Sequence, residues 1–312
     1  MPAPVTPGDT SQPDVTICIP AYEAEAFIRP AIESALEQTH GNIHILVAVD
    51  RGTDSTAAVC REYENDGRLR VIEHAGRLGW VGNVNSLLDR VETPFFCFLF
   101  HDDRLHENCV ERLLAHMAQQ PGAIAVCGSV RYRGDIDRIE TLDPVTGTHY
   151  ERLRSILVEP NTFYSLKSLH RSWPVQAGLR LVDNDFGGFQ ADAIFLLELA
   201  AHGVLISIPD VLYDKNLWGG SVTGRFRDWP AGKWFEALAE TRTVRLRSIH
   251  RTGLSPRQKR ELTELVLAHF HPLGIDMDGK NAEHTVTEYG TRQAPRLFPG
   301  CWATRFRLTT VR

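Results

Sequence analysis

Two adjacent carboxylates, Asp102 and Asp103, close the apolar run Phe95-Phe96-Cys97-Phe98-Leu99-Phe100. A run of that length and composition reads as a buried strand. Two negative charges side by side repel, and a divalent cation with a phosphate beyond it relieves that repulsion. The competing explanation is a solvated turn in which Asp102 or Asp103 caps the following helix. Two further strand-like runs end in polar residues: Val15 to Ile19 leads into Pro20, Ala21, Tyr22 and Glu23, and His44 to Val49 leads into Asp50. Open parallel sheets bind ligands beyond the carboxyl ends of their strands. Three such ends side by side make an acidic cleft with an aromatic at its lip. Further along, Asp192 opens an apolar helix just after Gly187-Gly188. As an acid in the first turn of a helix it is stabilised by the helix dipole.

The elements that position these residues alternate. After the first strand, which Pro20 is expected to stop, apolar Phe27, Ile28, Ile32, Ala35 and Leu36 mark a helix over about 24–38. Asp54 or Ser55 caps a second helix, burying Val59 and Tyr63. Leu69 to Ile72 is a short strand, and Val84, Leu87, Leu88 and Val91 mark the helix before Phe95. Val110, Leu113, Leu114 and Met117 line the next helix, and Ile124 to Cys127 begins another strand. This order predicts an α/β fold with a mostly parallel sheet covered on both faces. From about 134 to 190 turn signals such as Asp143-Pro144 interrupt the pattern. A helix over 191–201, a strand at Val204 to Ile208, and helices at Trp234 to Ile249 and from Ser255-Pro256 complete the reading.

The chain has 312 residues, 43% of them hydrophobic and 23% charged, with a net charge of −5. That balance argues against general nucleic-acid binding. No apolar stretch approaches the roughly 20 residues of a membrane helix. Met1 to Pro13 lacks the pattern of a secretory signal and is expected as a disordered lead-in. The six cysteines show no CxxC pair and no metal-ligand spacing, which points to structural thiols in a reducing, cytoplasmic setting. Neither GxGxxG after the first strand nor GxxxxGK[ST] is present; Gly76, Gly79 and Gly82 read as turn glycines.

Taken in order, these segments resemble family 2 glycosyltransferases of the GT-A fold. Ile17 to Glu23 is similar to the family's hydrophobic-Pro-x-Tyr-Asn start, with Glu23 where Asn is common. Ser34 to Thr39, Val47 to Thr56, Gly79 to Asn85 and Phe100 to Asp103 resemble its Ser-x-x-x-Gln-Thr, Val-Val-Asp-Asp-Gly-Ser-x-Asp-x-Thr, Gly-x-x-x-Asn-x-Asn and Asp-x-Asp-Asp segments. The match runs over about 14–225, leaving 1–13 as lead-in and 226–312 as a helical C-terminal extension. The resemblance implies a Rossmann-like sheet and a nucleoside-diphosphate sugar donor, UDP- or dTDP-linked. Pro20, Ala21, Tyr22, Glu23, Asp50, Asn83, Asn85 and Asp102 would hold the nucleotide. Asp102 and Asp103 would hold Mg²⁺ or Mn²⁺, and Asp192 would act as general base in an inverting, hexosyltransferase-type transfer to a carbohydrate or glycoconjugate hydroxyl.

Three positions depart from the family pattern: Phe100 replaces the first acid of Asp-x-Asp, Ala191 replaces the Glu before Asp192, and Trp218 stands where many members carry a metal-holding His. Tyr164, Trp173 and Trp218 are candidate sugar-stacking residues. A non-catalytic nucleotide-sugar binder and a sugar-phosphate nucleotidyltransferase are the alternatives; peripheral membrane contact and a homo-oligomer stay open.

Overall fold

The computed structural model describes residues 14–134, 137–158, 166–217, 226 and 229–268. Tyr164, Trp218, Cys301 and the lead-in over 1–13 lie outside the described residues.

Four strands form the parallel half of one mixed sheet. β1 (Val15–Ala21) lies between β2 (Ile43–Val49) and β4 (Phe95–Phe98), and β3 (Leu69–Glu73) flanks β2. The registers pair Val15 with Ile43 and Phe95, and Val49 with Glu73. Pro20 sits inside β1 opposite Ala48 rather than ending it. The β1–β4 pairing ends at Cys18 and Phe98, so Pro20 borders β2 alone and its missing N–H is tolerated as on an edge. The crossovers are α1 (Ile28–Leu36), α2 (Thr56–Arg61) and α3 (Gly79–Leu88). α1 starts later than its apolar spacing suggests, because Phe27 and Ile28 both donate to the Ala24 carbonyl in a preceding turn. The N-cap of α2 is Ser55, and Asp54 before it accepts from the Thr56 amide at 3.1 Å.

The second half of the sheet is mixed. After β5 (Arg104–Leu105) and α4 (Cys109–Gln119) come β6 (Ala123–Gly134), β7 (Arg138–Glu140), α5 (His149–Val158), β8 (Leu169–Arg171), α6 (Trp173–Gln176), α7 (Ala191–Leu199) and β9 (Val204–Leu217). The order is β3-β2-β1-β4-β8-β6-β9-β5, with β7 on β6. β8 runs antiparallel to both β4 and β6, while β6 and β9 run parallel. The sheet is therefore less parallel than the alternation of patterns predicts. Strands of two or three residues, such as β5, β7 and β8, are too short to show a period in sequence.

Period-two alternation divides the core. Ile17, Ile19, Ile45 and Val47 point toward Ala31, Ile32, Val110 and Leu113 of α1 and α4. Cys18, Leu46, Phe96 and Phe98 face Val84 and Leu87 of α3 and Phe195 and Leu196 of α7 on the other side. Two further helices, α8 (Ala231–Arg251) and α9 (Pro256–Ala268), cover that second face. Their Ile249, Leu262 and Val266 share its core. α9 opens on a capping box: the Ser255 amide donates to Gln258 Oε1 at 3.0 Å and the Gln258 amide to Ser255 Oγ at 3.3 Å. Among the described residues no helix is long and apolar enough to cross a membrane.

Candidate active site

The carboxyl ends of β1, β2 and β4 bring together the residues expected there. At the β2 end, Asp50 is 2% exposed. Its Oδ1 accepts from the amides of Leu78 (2.7 Å) and Arg51 (3.0 Å). Its Oδ2 accepts from the Gly79 amide (2.9 Å) and forms an ion pair with Arg77 Nε at 3.0 Å. These three amides and the ion pair hold the carboxylate and tie the start of α3 to β2. The Arg77 guanidinium also stacks 3.1 Å above the Tyr22 ring. Arg77 thus bridges Tyr22 and Asp50. Glu23 adopts a left-handed φ of 44° and accepts from Thr53 Oγ1 at 3.3 Å.

Asn83 and Asn85, expected to bind nucleotide, both bond to the main chain. Asn83 Nδ2 donates to the carbonyls of Ala21 (3.2 Å) and Ala48 (3.0 Å), locking the ends of β1 and β2 together. Asn85 exchanges two 2.9 Å bonds with the main chain of Leu181. They shape the cleft wall through backbone they hold.

Asp102 and Asp103 part company. Asp103 is 3% exposed and enclosed. Lys167 Nζ (2.6 Å) and the Tyr213 hydroxyl (2.8 Å) donate to its Oδ2, and the Asn216 amide (2.9 Å) to its Oδ1. Asp103, expected as a metal ligand, lies in a buried ion pair, and an internal ammonium relieves the like-charge repulsion. Lys167 also lies 4.6 Å from the Phe100 ring centroid and 4.0 Å from that of Tyr213. Phe100, where the family carries an acid, thus offers a π face to a cation. Burial pushes the Lys167 ammonium down to about 8, against the opposing pull of Asp103. Asp102 is half-buried at the turn, its carbonyl held by Asn216 Nδ2. His101 Nδ1 donates to the Pro20 carbonyl at 3.2 Å, fastening this turn to β1. Among the described residues no group of three or more His, Cys, Asp or Glu side chains could hold a metal. A single carboxylate at Asp102 still fits Mg²⁺ or Mn²⁺ that takes its remaining ligands from a diphosphate and water.

Asp192 sits in the first turn of α7, half-buried, and its Oδ1 accepts from the Ala193 amide at 2.9 Å. Burial raises its carboxyl above the ordinary range, while Lys215 and Arg245 pull the other way. The preceding Gln190 is held at φ 58°, in the left-handed region. Non-glycine residues there store strain and concentrate at functional sites. Trp80 Nε1 donates to the Gly187 carbonyl at 2.8 Å, linking α3 to the loop before Asp192. Gly188 has φ +74°, and a Cβ there would lie 2.4 Å from both Trp80 Nε1 and Val81 Cγ2. Gly188→Ala is expected to cost about 1–3 kcal/mol and to lower activity by displacing Asp192. Thermal melting and initial rates check this; an unchanged melting midpoint contradicts the packing role.

Trp173 is not in the cleft. It is 41% exposed and packs edge-on to His202. Gln176, on the same short helix, bonds to the carbonyls of Val91, Glu92 and Thr93, which precede β4. Trp173 thus belongs to the opposite end of the sheet. Lys167, Tyr213 and Asn216 are the partners that sequence reasoning did not find. Lys167 lies in the segment of weakest periodicity, and only the apolar Phe100 hinted that something else balances Asp103.

A family model for glycosyl transferase family 2 matches residues 16–176, more than half of the 312-residue chain. The chain belongs to glycosyl transferase family 2. This family 2 chain is 25% identical over 280 residues to the glycosyltransferase GlyA of Streptococcus pneumoniae, covering 84% of itself and 39% of GlyA. It is 27% identical over 118 residues to the putative teichuronic acid biosynthesis glycosyltransferase TuaG of Bacillus subtilis, covering 38% of itself and 47% of TuaG. It therefore spans less than half the length of these two curated relatives. Among solved structures, S. aureus TarS 1–349 in complex with UDP-GlcNAc aligns with a TM-score of 0.64 at 16% identity, over 81% of this chain and 71% of that one. The mannosyltransferase PcManGT from Pyrobaculum calidifontis, in complex with GDP-Man and Mn²⁺, aligns at 0.53 with 15% identity, over 96% and 85%. These likenesses establish the GT-A fold of this family 2 chain.

Proposed function

We propose that this chain transfers a sugar from a nucleoside-diphosphate donor to an acceptor hydroxyl with inversion, using Asp192 as general base. The observation that carries this reading is Asp192 itself: a desolvated carboxyl at a helix start, behind a strained Gln190 and pinned to the donor side through Trp80 and Gly187. A raised pKa suits proton abstraction near neutral pH. The structural likeness to proteins solved with UDP-GlcNAc and GDP-Man supports a nucleotide-sugar donor. Tyr22 and Asp50 would receive the base. Asp192 would take the proton from the acceptor oxygen as that oxygen attacks the anomeric carbon opposite the leaving diphosphate. A divalent cation at Asp102, when bound, would neutralise charge on that diphosphate. Lys167 and Asp103 would hold the turn that presents Asp102. Five buried, free cysteines favour a reducing, cytoplasmic setting.

The nucleotide and metal parts are tested together by calorimetry of UDP binding with and without Mn²⁺. Mn²⁺ is expected to tighten UDP binding in the parent, and Asp102→Ala to abolish that enhancement. Equal Mn²⁺ enhancement in Asp102→Ala would show that the cation is held elsewhere.

A further inference from the structure

The strands at one edge of the sheet border a cleft of about 560 Å³. β5 is the terminal strand and pairs antiparallel with β9, which sets Arg104 opposite Asp214. β6 pairs with β9 on the other side and sets Arg133 opposite Asn216. These four residues line the cleft with His106, and Pro30 of α1 and Leu105 give it an apolar wall. A volume of this size is in the range of small-molecule sites, which join an apolar lining to a few placed polar groups. Asn216 ties the cleft to the turn after β4: its amide donates to Asp103 Oδ1 at 2.9 Å and its Nδ2 to the Asp102 carbonyl.

Charge in the cleft is uneven. Arg104, Arg133 and His106 are set against a single acid among the lining residues, Asp214. Both oxygens of that acid are taken: His106 Nε2 lies 3.2 Å from Oδ1, and Arg133 Nε donates to Oδ2 at 2.8 Å. Arg133 meets Asp214 through Nε, and its side chain is 48% exposed, so its two terminal nitrogens face outward from that pair. The Arg104 side chain is exposed and makes no hydrogen bond or ion pair among the described residues. A guanidinium fork matches phosphate or carboxylate oxygens two at a time. The whole chain carries a net charge of −5, so this surplus of basic side chains is local to the cleft.

We propose that this cleft binds a phosphate or carboxylate group carried on a sugar-sized molecule. Arg104 and the terminal nitrogens of Arg133 hold the anionic oxygens, and Pro30 and Leu105 pack against the carbon skeleton. Tyr22, Asp50, Asp102 and Asp192 are not among the lining residues. The site is therefore separate from the donor and base positions proposed above and does not rest on them. Through Asn216 its occupant abuts the turn that presents Asp102.

The test is calorimetry on the full chain, titrating glucose 6-phosphate, glucuronate and glucose. The parent is expected to bind glucose 6-phosphate or glucuronate and to give no heat with glucose; which anion binds identifies the group. Arg104→Gln should weaken that binding by about tenfold or more. It removes no internal ion pair, so its melting midpoint should match the parent's, and the loss then reads the cleft rather than the fold. Adding Arg133→Gln should abolish the binding. Saturating UDP should leave anion affinity unchanged. Binding of neither anion by the parent, or full affinity in Arg104→Gln, overturns the site. Competition between UDP and the anion also overturns it, by placing the anion in the donor cleft. Failure of the parent to bind UDP counts against the nucleotide-sugar reading alone, since the Arg104→Gln comparison does not need UDP.

Discussion

Asp192→Asn is expected to cut turnover by roughly 10²–10⁴-fold, the usual worth of a positioned general base, while UDP affinity stays within about twofold. Asn keeps an oxygen for the Ala193 amide, so the start of α7 is preserved. The pH profile carries a second signature. Burial raises the Asp192 carboxyl above the ordinary range, and the base works only when ionised. The acidic limb of kcat/KM should therefore fall at a higher pH than an exposed aspartate gives, and it should vanish in the Asn variant. Stability runs the opposite way. A folded pKa above the unfolded one means that the native state binds the proton more tightly across that window. The group's stabilising contribution is full below the unfolded value and is lost as pH rises through the folded one. Near neutral pH, Asp192→Asn should then melt no lower than the parent. A variant that loses activity and melts well below the parent points to a structural role for Asp192.

Lys167→Met is expected to destabilise the fold by about 3–5 kcal/mol, because it leaves Asp103 buried with no countercharge. That corresponds to a fall of roughly 6–20 °C in melting midpoint. Tyr213 and the Asn216 amide still donate to Asp103, but neither offsets a full negative charge. Adding Asp103→Asn should restore most of the loss, since Asn can accept from Tyr213 without a charge to balance. The cycle isolates the ion pair from packing. If Lys167→Met melts like the parent, Asp103 is not held as an ionised partner of Lys167.

The parallel half of the fold was legible because each of its strands has four or more residues and alternates between two helical layers. The positions of Asp50, Asp102 and Asp192 in the fold were legible because each lies at or just beyond the end of a clear element. The mixed half was not. β7 and β8 have three residues each, and α5 lies between turn signals that hide its apolar positions Leu153 and Ile156. What escaped most at the site was partnership. The sequence shows Asp102 and Asp103 as equals, yet Asp103 is buried against Lys167, 64 residues away, and Tyr213, 110 residues away. Asn83 and Asn85 fall in the right segment, but their amides satisfy backbone carbonyls left open at strand and loop ends. Trp173 looked like a stacking residue from its type alone, and a strand too short to detect carries it to the other end of the sheet.

The most direct test of the central claim is a screen of nucleotide sugars with Mn²⁺ for release of the nucleoside diphosphate, run on the parent and on Asp192→Asn. The account predicts release from at least one donor, faster with acceptor present, and reduced about 10²–10⁴-fold in the variant. Binding of UDP with no release from any donor across a wide panel of acceptors would contradict it and identify the chain as a nucleotide-sugar binder.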